Sequence, residues 1–497
     1  MSFERTRREI LRAAAGAGLW LGLRPRGSAA DPPVRLSDEM EPLVRLIEET
    51  PRDRVIEAVA EHVRGGRAQY KDVLAALMLA GVRNVEPRPS VGFKFHAVLV
   101  VQSIHLASTA ADPADRWLPV FWGIDYFKDS QRRDEQERGW TMSAVDESAV
   151  PAAAAARQAF VDSMDRWNEE GADAAVAALA RKAEAADVWE LFFRYGARDY
   201  RSIGHKAIDV ANSHRVLGVI GWKHAEPILR SLAYALLMHE DGNPAERSAW
   251  PDQPWRRNQD LIDEVPADWQ DGKEDPDAVT ELLDALRDGS EDEAADKVVG
   301  LLRRGVGPQS IWDGLSLGAV ELLVRQPGII ALHAVTTTNA LHYAYRFARE
   351  DRTRQLLLLQ NAAFLPMFRK TMYERGQVRE FHLDALEPSA GEPEGKNLVD
   401  MIFAELRRDP LSAARKTLAY GQSEAPWKPW IEQAQRLIIH KGTGAHDYKF
   451  GFAALEDQQY LSPHWRPYYA AASVFKLPGT SEPDNPLVER IGSVLGS

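Results

Sequence analysis

The sequence contains no cysteine. That absence excludes disulfide bonds, c-type haem attachment, iron–sulfur clusters, zinc sites with thiolate ligands and cysteine nucleophiles. The 13 histidines are the remaining nitrogen ligands for a transition metal. A nucleotide motif is also missing, because the glycine-rich stretch at Gly16 and Gly18 follows no predicted strand. The G-x-S-x-G match at residues 314–318 lies in a helical pattern, which argues against a serine hydrolase.

Basic surface and long apolar runs are also scarce. The formal net charge is −12, which argues against a nucleic-acid or anionic-membrane partner because both require basic surface. No segment has the length and apolar composition of a membrane span. Hydrophobic residues make up 45% and charged residues 27% of the 497 residues, a balance typical of soluble globular proteins.

Arginine is concentrated at the N-terminus. The segment TRREILR at residues 6–12 resembles the twin-arginine export consensus, and a short, weakly apolar run follows it. Small residues at 28–30 precede Asp31 and suit cleavage there. We therefore predict a signal peptide at residues 1–30, export by the twin-arginine translocase, and a periplasmic or secreted mature protein. The alternative is a basic tail without an export function. Because this route carries folded cargo, it favours a cofactor.

Alternation of apolar and polar residues with period two is absent, so we expect almost no sheet. From Glu41 onward, apolar residues recur at three- and four-residue spacing, with glycine at the stops. This pattern predicts an all-α fold. Pro, Gly and Asp content predicts loops at residues 128–140, 242–259, 386–397 and 476–486. Trp250 and Trp255 in the second loop, with Trp269 beyond it, indicate that it packs on the body or covers a pocket.

The loops divide the chain into four helical units of similar order within one domain at residues 31–490. The units span roughly residues 41–125, 151–240, 276–385 and 397–475, and each carries one comparable histidine. These histidines are His96, His205, His333 and His446. We expect a multi-helix array of loosely repeated units around a central histidine cluster, which suits iron, zinc, copper or nickel. The alternative for each histidine is a hydrogen-bonded core residue.

Three of the four segments contain a second histidine nine residues later: His105, His214 and His342. Nine residues along an α-helix turn the side-chain direction by about 180°. One helix can therefore offer only one of its two histidines to a shared centre. We expect the second histidine of each pair to have a packing or supporting role.

Three other polar residues are candidates for the site. Lys449 follows His446 by three residues and heads an apolar run; it is either a snorkelling side chain or a lysine that loses its charge through burial or carboxylation. Asp209 follows His205 by four residues and could be a ligand or accept the imidazole N–H. His224 precedes Pro227 and could ligate a metal, donate a proton or cap a helix. We predict catalytic roles for His224 and Lys449.

The all-helical body, the HAVTTTNAL segment at residues 333–341 and the H-x-x-K at residues 446–449 resemble the questin oxidase-like family. That family includes non-haem iron enzymes that open anthraquinone-type rings with dioxygen, and their iron is held by four histidines and a carboxylated lysine. The resemblance implies Fe(II) on the four histidines named above, with Lys449 as the modified lysine. The twin-arginine leader departs from the family's fungal-type pathway enzymes, and the resemblance does not identify the substrate.

These observations favour an exported non-haem metal oxidoreductase, an oxygenase acting on an apolar or aromatic small molecule. The aromatic residues Trp117, Phe121, Trp122, Tyr126 and Phe127 suit a ring-binding pocket, although such clusters are more commonly core. Two alternatives belong to other classes. One is a non-enzymatic periplasmic helical-repeat protein that binds partners on its concave side; the other is a metal-dependent hydrolase.

Overall fold

The computed structural model describes residues 32–87, 93–137, 139–240, 242–391, 395–423 and 425–496. The predicted signal peptide at residues 1–30 lies outside these ranges. The described residues form helices and connecting turns without a β-strand, and their only bridge pairs are Pro33 with Ser143 and Lys273 with Val306. The prediction of an all-α fold is confirmed.

The third helix of the first predicted unit begins with a capping interaction. Asp72 accepts the backbone N–H of Gln69 at 2.8 Å, which satisfies a free donor at the start of the third helix. The helices of this unit are α1 (Glu41–Glu49), α2 (Val55–Arg64), α3 (Tyr70–Asn84), α4 (His96–Leu99), α5 (Val101–Ala110) and α6 (Leu118–Glu137). The helices of the second unit are α7 (Ala153–Asp165), α8 (Glu169–Lys182), α9 (Ala185–Gly196), α10 (His205–Ile220) and α11 (Ala225–Leu237).

The third and fourth units follow after α12 (Gln253–Leu261). The third contains α13 (Pro276–Asp288), α14 (Glu291–Arg303), α15 (Pro308–Arg325), α16 (Ile329–Phe347) and α17 (Asp351–Tyr373). Asp275 and Ser290 cap α13 and α14 by accepting backbone N–H groups from their first turns. The fourth contains α18 (Lys396–Glu405), α19 (Pro410–Gln422), α20 (Lys428–Lys441), α21 (Ala445–Tyr460) and α22 (Arg466–Ser473), and α23 (Leu487–Gly496) ends the chain.

Two predicted loops are helical over several residues, and a third, at residues 386–397, includes the first two residues of α18. The prediction of a loop at residues 128–140 is wrong up to Glu137, because α6 continues to that residue. Within this polar stretch Asp129 pairs with Arg132 at 2.8 Å and Arg133 at 2.7 Å, spacings that stabilise a helix. The second loop contains α12. Its prediction to pack on the body is confirmed by Trp255, which is buried.

Helix α16 is the centre of the fold. It contacts α10, α15, α17 and α21, and nearly all its side chains are buried. Hydrogen bonds satisfy two of its threonine hydroxyls: Thr336 donates to the Leu332 carbonyl of the same helix at 3.2 Å, and Thr338 donates to Asn361 of α17 at 3.1 Å. Tertiary contacts thus outweigh the low helix propensity of this segment.

Buried hydrophobic side chains from Met40 to Ile491 belong to one connected cluster. The helices around α16 therefore share a core with those at both ends of the described chain. None of the described helices combines the length and apolar composition needed to cross a bilayer.

Candidate metal centre

The four predicted histidines converge on one point. His96 begins α4, His205 begins α10, His333 lies near the start of α16, and His446 lies in the first turn of α21. One nitrogen from each ring lies within 4.8 Å of the other three, and His96, His205 and His333 are buried. The prediction of a central histidine cluster that could hold a metal ion is confirmed.

Backbone carbonyl groups orient two of the rings. Nδ1–H of His205 donates to the Ser202 carbonyl at 2.5 Å, and Nδ1–H of His333 donates to the Ile329 carbonyl at 2.6 Å. A carbonyl only accepts, so the proton of each neutral ring lies on Nδ1 and the lone pair lies on Nε2. This is the tautomer that a metal ligand requires, with the other nitrogen fixed by a hydrogen bond.

The distances between the inward nitrogens fit ligands of one ion. Nε2 of His205 lies 2.9 Å from Nε2 of His333 and 3.1 Å from Nε2 of His96. Two nitrogens bound at about 2.1 Å and at right angles to each other would be ~3.0 Å apart. The Nε2 lone pairs of His205 and His333 repel at this distance, so a cation between them would relieve the repulsion. The donor set therefore fits a transition metal that accepts imidazole.

The cluster also keeps its imidazoles neutral. Burial lowers the pKa of His96, His205 and His333 well below the usual value, and the neighbouring rings and Lys449 lower it further. Burial and the Lys449 charge lower the pKa of His446 to about 2. Neutral rings bind metal without first losing a proton.

A left-handed turn places His205. Ser202, Ile203 and Gly204 have φ angles of 56°, 49° and 81°, and such angles are unfavourable for a β-branched residue like Ile203. A Cβ on Gly204 would lie 2.0 Å from Oγ1 of Thr337, so only glycine permits this approach to α16. The turn aims the Ser202 carbonyl at Nδ1 of His205, and strain of this kind commonly occurs at functional sites.

The start of α21 places His446. Asp447 accepts the backbone N–H groups of Thr443 and Gly444, each at 3.1 Å, and this caps the helix just before the histidine. Nε2 of His446 is buried and has no hydrogen-bond partner among the described residues. Such an atom is costly to bury alone, and a metal ion would give it a partner.

Lys449 lies beside the cluster with an unpaired ammonium group. Its side chain is 3% exposed, and its Nζ has no hydrogen-bond partner in the described chain. Burial lowers its pKa to about 7, against the opposing effect of the Asp209 charge. Asp209 does not accept the imidazole N–H of His205, because Nδ1–H of that ring donates to the Ser202 carbonyl. Burial raises the pKa of Asp209 to about 7, and its Oδ1 accepts from Ser213 at 3.2 Å.

The second histidine of each pair points away from the cluster, as predicted. The side chains of His105 and His214 hydrogen-bond tyrosines, and His342 stacks on a tryptophan. The partners are Tyr70 at 3.0 Å, Tyr343 at 2.7 Å and Trp312 with ring centroids 4.6 Å apart.

His224 is not brought into the group of four. It ends a 3-10 turn, Trp222–His224, just before α11, and it is buried. Burial and Lys223 lower its pKa, whereas Glu39 and Asp72 act in the opposite direction. Its catalytic role remains a prediction.

The aromatic residues after the first histidine segment are mainly core. Phe121 and Phe127 are fully buried, and Trp122 stacks on Tyr126 with ring centroids 5.1 Å apart. Trp122 also packs on Tyr448, the residue before Lys449, with ring centroids 4.5 Å apart. These rings therefore support the helix that carries His446 and Lys449.

Sequence reasoning missed the turn before His205 and the polar residues farther along the histidine-bearing helices. Gly204, directly before the histidine, was the available signal for the turn. Asn339 lies in the HAVTTTNAL segment, but Arg215 and Glu456 resemble ordinary helix-surface residues. Their pairing at 2.6 Å joins α10 to α21 and depends on the fold.

The chain matches no family model, and it shows no significant similarity to a curated protein or a solved structure. The interpretation of the site therefore rests on its own geometry.

Proposed function

We propose that the protein is a metal-dependent oxidoreductase that uses one iron(II) ion on His96, His205, His333 and His446. The observation that carries this proposal is the group of inward, neutral imidazole nitrogens, with Nε2 of His205 2.9 Å and 3.1 Å from two others. Burying so many acceptors without a cation would be costly for a purely structural core. This cost is the reason for preferring a metal enzyme to a non-enzymatic helical-repeat protein.

The two shortest nitrogen distances fit ligands at right angles better than tetrahedral ligands, and the choice of iron among metals with such ligands follows the questin oxidase-like resemblance. Tetrahedral ligands at about 2.1 Å would place neighbouring nitrogens ~3.4 Å apart, whereas right-angle ligands would place them ~3.0 Å apart. The closer spacing here supports an ion of higher coordination number. When bound, iron would supply one-electron chemistry with dioxygen as the oxidant, which is the class of reaction that the questin oxidase-like resemblance implies.

In this proposal Lys449 completes the site as a carbamate. Its neutral amine would attack CO2, forming the N–C bond and releasing one proton, and the product would be an oxygen ligand with a negative charge. The buried Nζ without a partner supports this role. Lys206 is the matched control, because its Nζ already donates to Asp199 at 2.9 Å and to two backbone carbonyls.

Metal analysis of the purified protein tests the proposal. We expect about one iron per chain in the native protein, and near-complete loss of that iron in His333→Ala because one ligand is removed. His342→Ala is the control, since His342 lies on the same helix but stacks on Trp312. Iron far below one per chain after anaerobic reconstitution, or equal iron in both variants, would contradict the proposal.

Two further measurements separate the parts of the proposal. Protein incubated with ¹³C-bicarbonate should give a carbamate carbon signal in NMR that Lys449→Met lacks and Lys206→Met retains. If the protein is an oxygenase, its turnover of substrate should stop when dioxygen is removed. Continued turnover under nitrogen would instead support the metal-dependent hydrolase.

A further inference from the structure

A small void lies between α5, α10, α16 and α21, beside the histidine cluster. On α21 its lining residues are Lys449, Phe452, Ala453 and Glu456, whose spacing places them on one face of the helix. The void has a volume of about 20 Å³, and a cavity needs about 10–15 Å³ of such space to hold one water molecule. The void therefore holds one small molecule and is too small for an aromatic ring.

The void runs from buried residues to partly exposed ones. Gln102 and Lys449 line it and are 6% and 3% exposed. Leu106 and Ala453 also line it but are half-buried, and the side chain of Glu456 is 24% exposed. The partly exposed residues mark the end nearer to solvent, and Gln102 and Lys449 mark the inner end.

Two of the polar side chains that line the void have an atom without a partner. Oε1 of Gln102 and Nζ of Lys449 are buried and make no hydrogen bond with any described residue. Leaving such atoms unpaired is costly, so folded proteins usually satisfy them with protein groups, water or a ligand. Two such atoms on residues that line one void indicate that a molecule from outside the chain occupies it.

The chemistry of the lining distinguishes between small molecules. Lys449 carries a primary amine, which is a nucleophile in its neutral form. Carbon dioxide has an electrophilic carbon for this amine and two oxygens that accept hydrogen bonds. Water would satisfy the same polar atoms but does not react with an amine. Dioxygen is of similar size, but its reaction partner in a protein is a metal or a reduced cofactor rather than an amine.

We propose that this void is the entry and binding site through which carbon dioxide reaches Nζ of Lys449. The nitrogen lone pair would form the N–C bond, one C–O π pair would move onto oxygen, and the nitrogen would release one proton to water. This reaction rests on the carbamate role proposed above for Lys449, whereas the entry site does not depend on iron. An aromatic substrate would have to reach the cluster by another route.

Chemical modification by cyanate tests the entry site. Its conjugate acid, isocyanic acid, has three heavy atoms in a chain, as carbon dioxide has. It adds to an amine by forming the N–C bond while the amine proton moves to the isocyanic nitrogen, and mass spectrometry locates the stable product. In full-length protein stripped of metal and bicarbonate, we expect Lys449 to react at least about 10-fold faster than Lys206, which is enclosed by three partners and reacts only through local opening. Added bicarbonate should slow the reaction at Lys449 but not at the exposed Lys428.

Probe size and a variant that fills the void separate entry from reactivity. Phenyl isocyanate carries the same reactive group on an aromatic ring, so it should modify Lys428 but not Lys449. Ala453→Leu fills the void and should slow cyanate modification of Lys449 by about 10-fold or more, because reaction then requires local opening. Gln459→Leu is the control, since Gln459 is an exposed residue of α21 that does not line the void.

Equal cyanate modification of Lys449 and Lys206, or efficient modification of Lys449 by phenyl isocyanate, would overturn the entry site. An unchanged rate in a folded Ala453→Leu variant would also overturn it, and the comparison of probe sizes decides if circular dichroism shows that this variant does not fold. Failure of bicarbonate to protect Lys449 would overturn carbon dioxide as the occupant.

Iron content of parallel samples separates this proposal from the metal function. Size-selective modification of Lys449 in protein that takes up no iron would contradict only the metal function. Protein that binds iron, but whose metal-free form shows no size selection at Lys449, would contradict only the entry site.

Discussion

Lys206 and Lys449 are two buried lysines on histidine-bearing helices, and they differ in what their ammonium groups contact. Nζ of Lys206 donates to Asp199 at 2.9 Å and to the Leu236 and Met238 carbonyls at 3.0 Å and 2.9 Å. Nζ of Lys449 has no partner among the described residues. Burial lowers both pKa values, to about 8 for Lys206 and about 7 for Lys449.

The difference separates a paired buried charge from an unpaired one. A lysine ammonium has three N–H donors, and the three partners of Lys206 match that number. Burial raises the pKa of Asp199, but Lys206, Arg201 and Arg198 outweigh that effect and lower it. Lys206 therefore joins Asp199 to the end of α11. Lys449 lacks such compensation, so its burial is best explained by a partner from outside the chain.

Removing the paired lysine should have the largest effect. Lys206→Met leaves the Asp199 carboxylate buried with the backbone N–H of Arg201 at 2.9 Å but with guanidinium nitrogens no closer than 3.6 Å and 3.9 Å. We expect the free energy of unfolding to fall by about 3–5 kcal/mol, the usual cost of breaking a buried pair. Urea denaturation followed by circular dichroism measures it. Adding Asp199→Asn should recover part of the loss, and native stability in the single variant would break the comparison.

Removing the unpaired lysine should have the opposite sign. Lys449→Met deletes a buried donor without a partner and fills the space with an apolar chain. In protein stripped of metal we expect the free energy of unfolding to rise by about 1–3 kcal/mol. The same denaturation experiment measures this change, with Lys206→Met as the control of opposite sign. A less stable variant would show that Lys449 contributes to the core.

Much of the helical arrangement and of the histidine cluster could be predicted from the sequence, but the contrast between Lys206 and Lys449 could not. Helix positions follow from local periodicity, and the recurrence of histidine-bearing apolar helices correctly indicated convergence. Nothing in the sequence pairs Lys206 with carbonyls 30 and 32 residues later. The Arg215–Glu456 pair bridges 241 residues. Contacts of this kind depend on how the helices pack. The continuation of α6 to Glu137 also depends on packing, because Arg52 from the preceding segment pairs with Asp129 of α6 at 3.1 Å.

A buried carboxyl with neutral partners sharpens the comparison with Asp199. Asp457 accepts from Asn339 at 2.8 Å and Tyr469 at 2.9 Å. Burial raises its pKa from 3.8 to about 7, although the Asn339 hydrogen bond acts in the opposite direction. Neutral donors therefore supply hydrogen bonds to its oxygens, but they do not stabilise the ionised carboxylate as the cations around Asp199 do.

The sign of the pH effect follows from proton counts. Between pH 4 and pH 7 the folded chain keeps the Asp457 proton and the unfolded chain loses it, so stability falls as pH rises. The contribution is at most about 1.4 kcal/mol per pH unit. Asp457→Asn should remove it, which appears as a difference between the stability–pH curves of the two proteins. Parallel curves would show that Asp457 is ionised in the folded state.

The smallest effect should come from the turn before His205 and Lys206. Ser202 has φ 56° and ψ 30°, a conformation that costs glycine little. Ser202→Gly relieves this strain but adds freedom to the unfolded chain, so we expect a net gain below ~1 kcal/mol. The carbonyl that accepts from His205 belongs to the backbone and remains, so iron content should not change. Gly204→Ala is the contrasting variant, because its Cβ would collide with Thr337. Loss of iron in Ser202→Gly would mean that the metal site needs the stiffness of this turn. The segment that carries the paired Lys206 would then also contribute to metal binding.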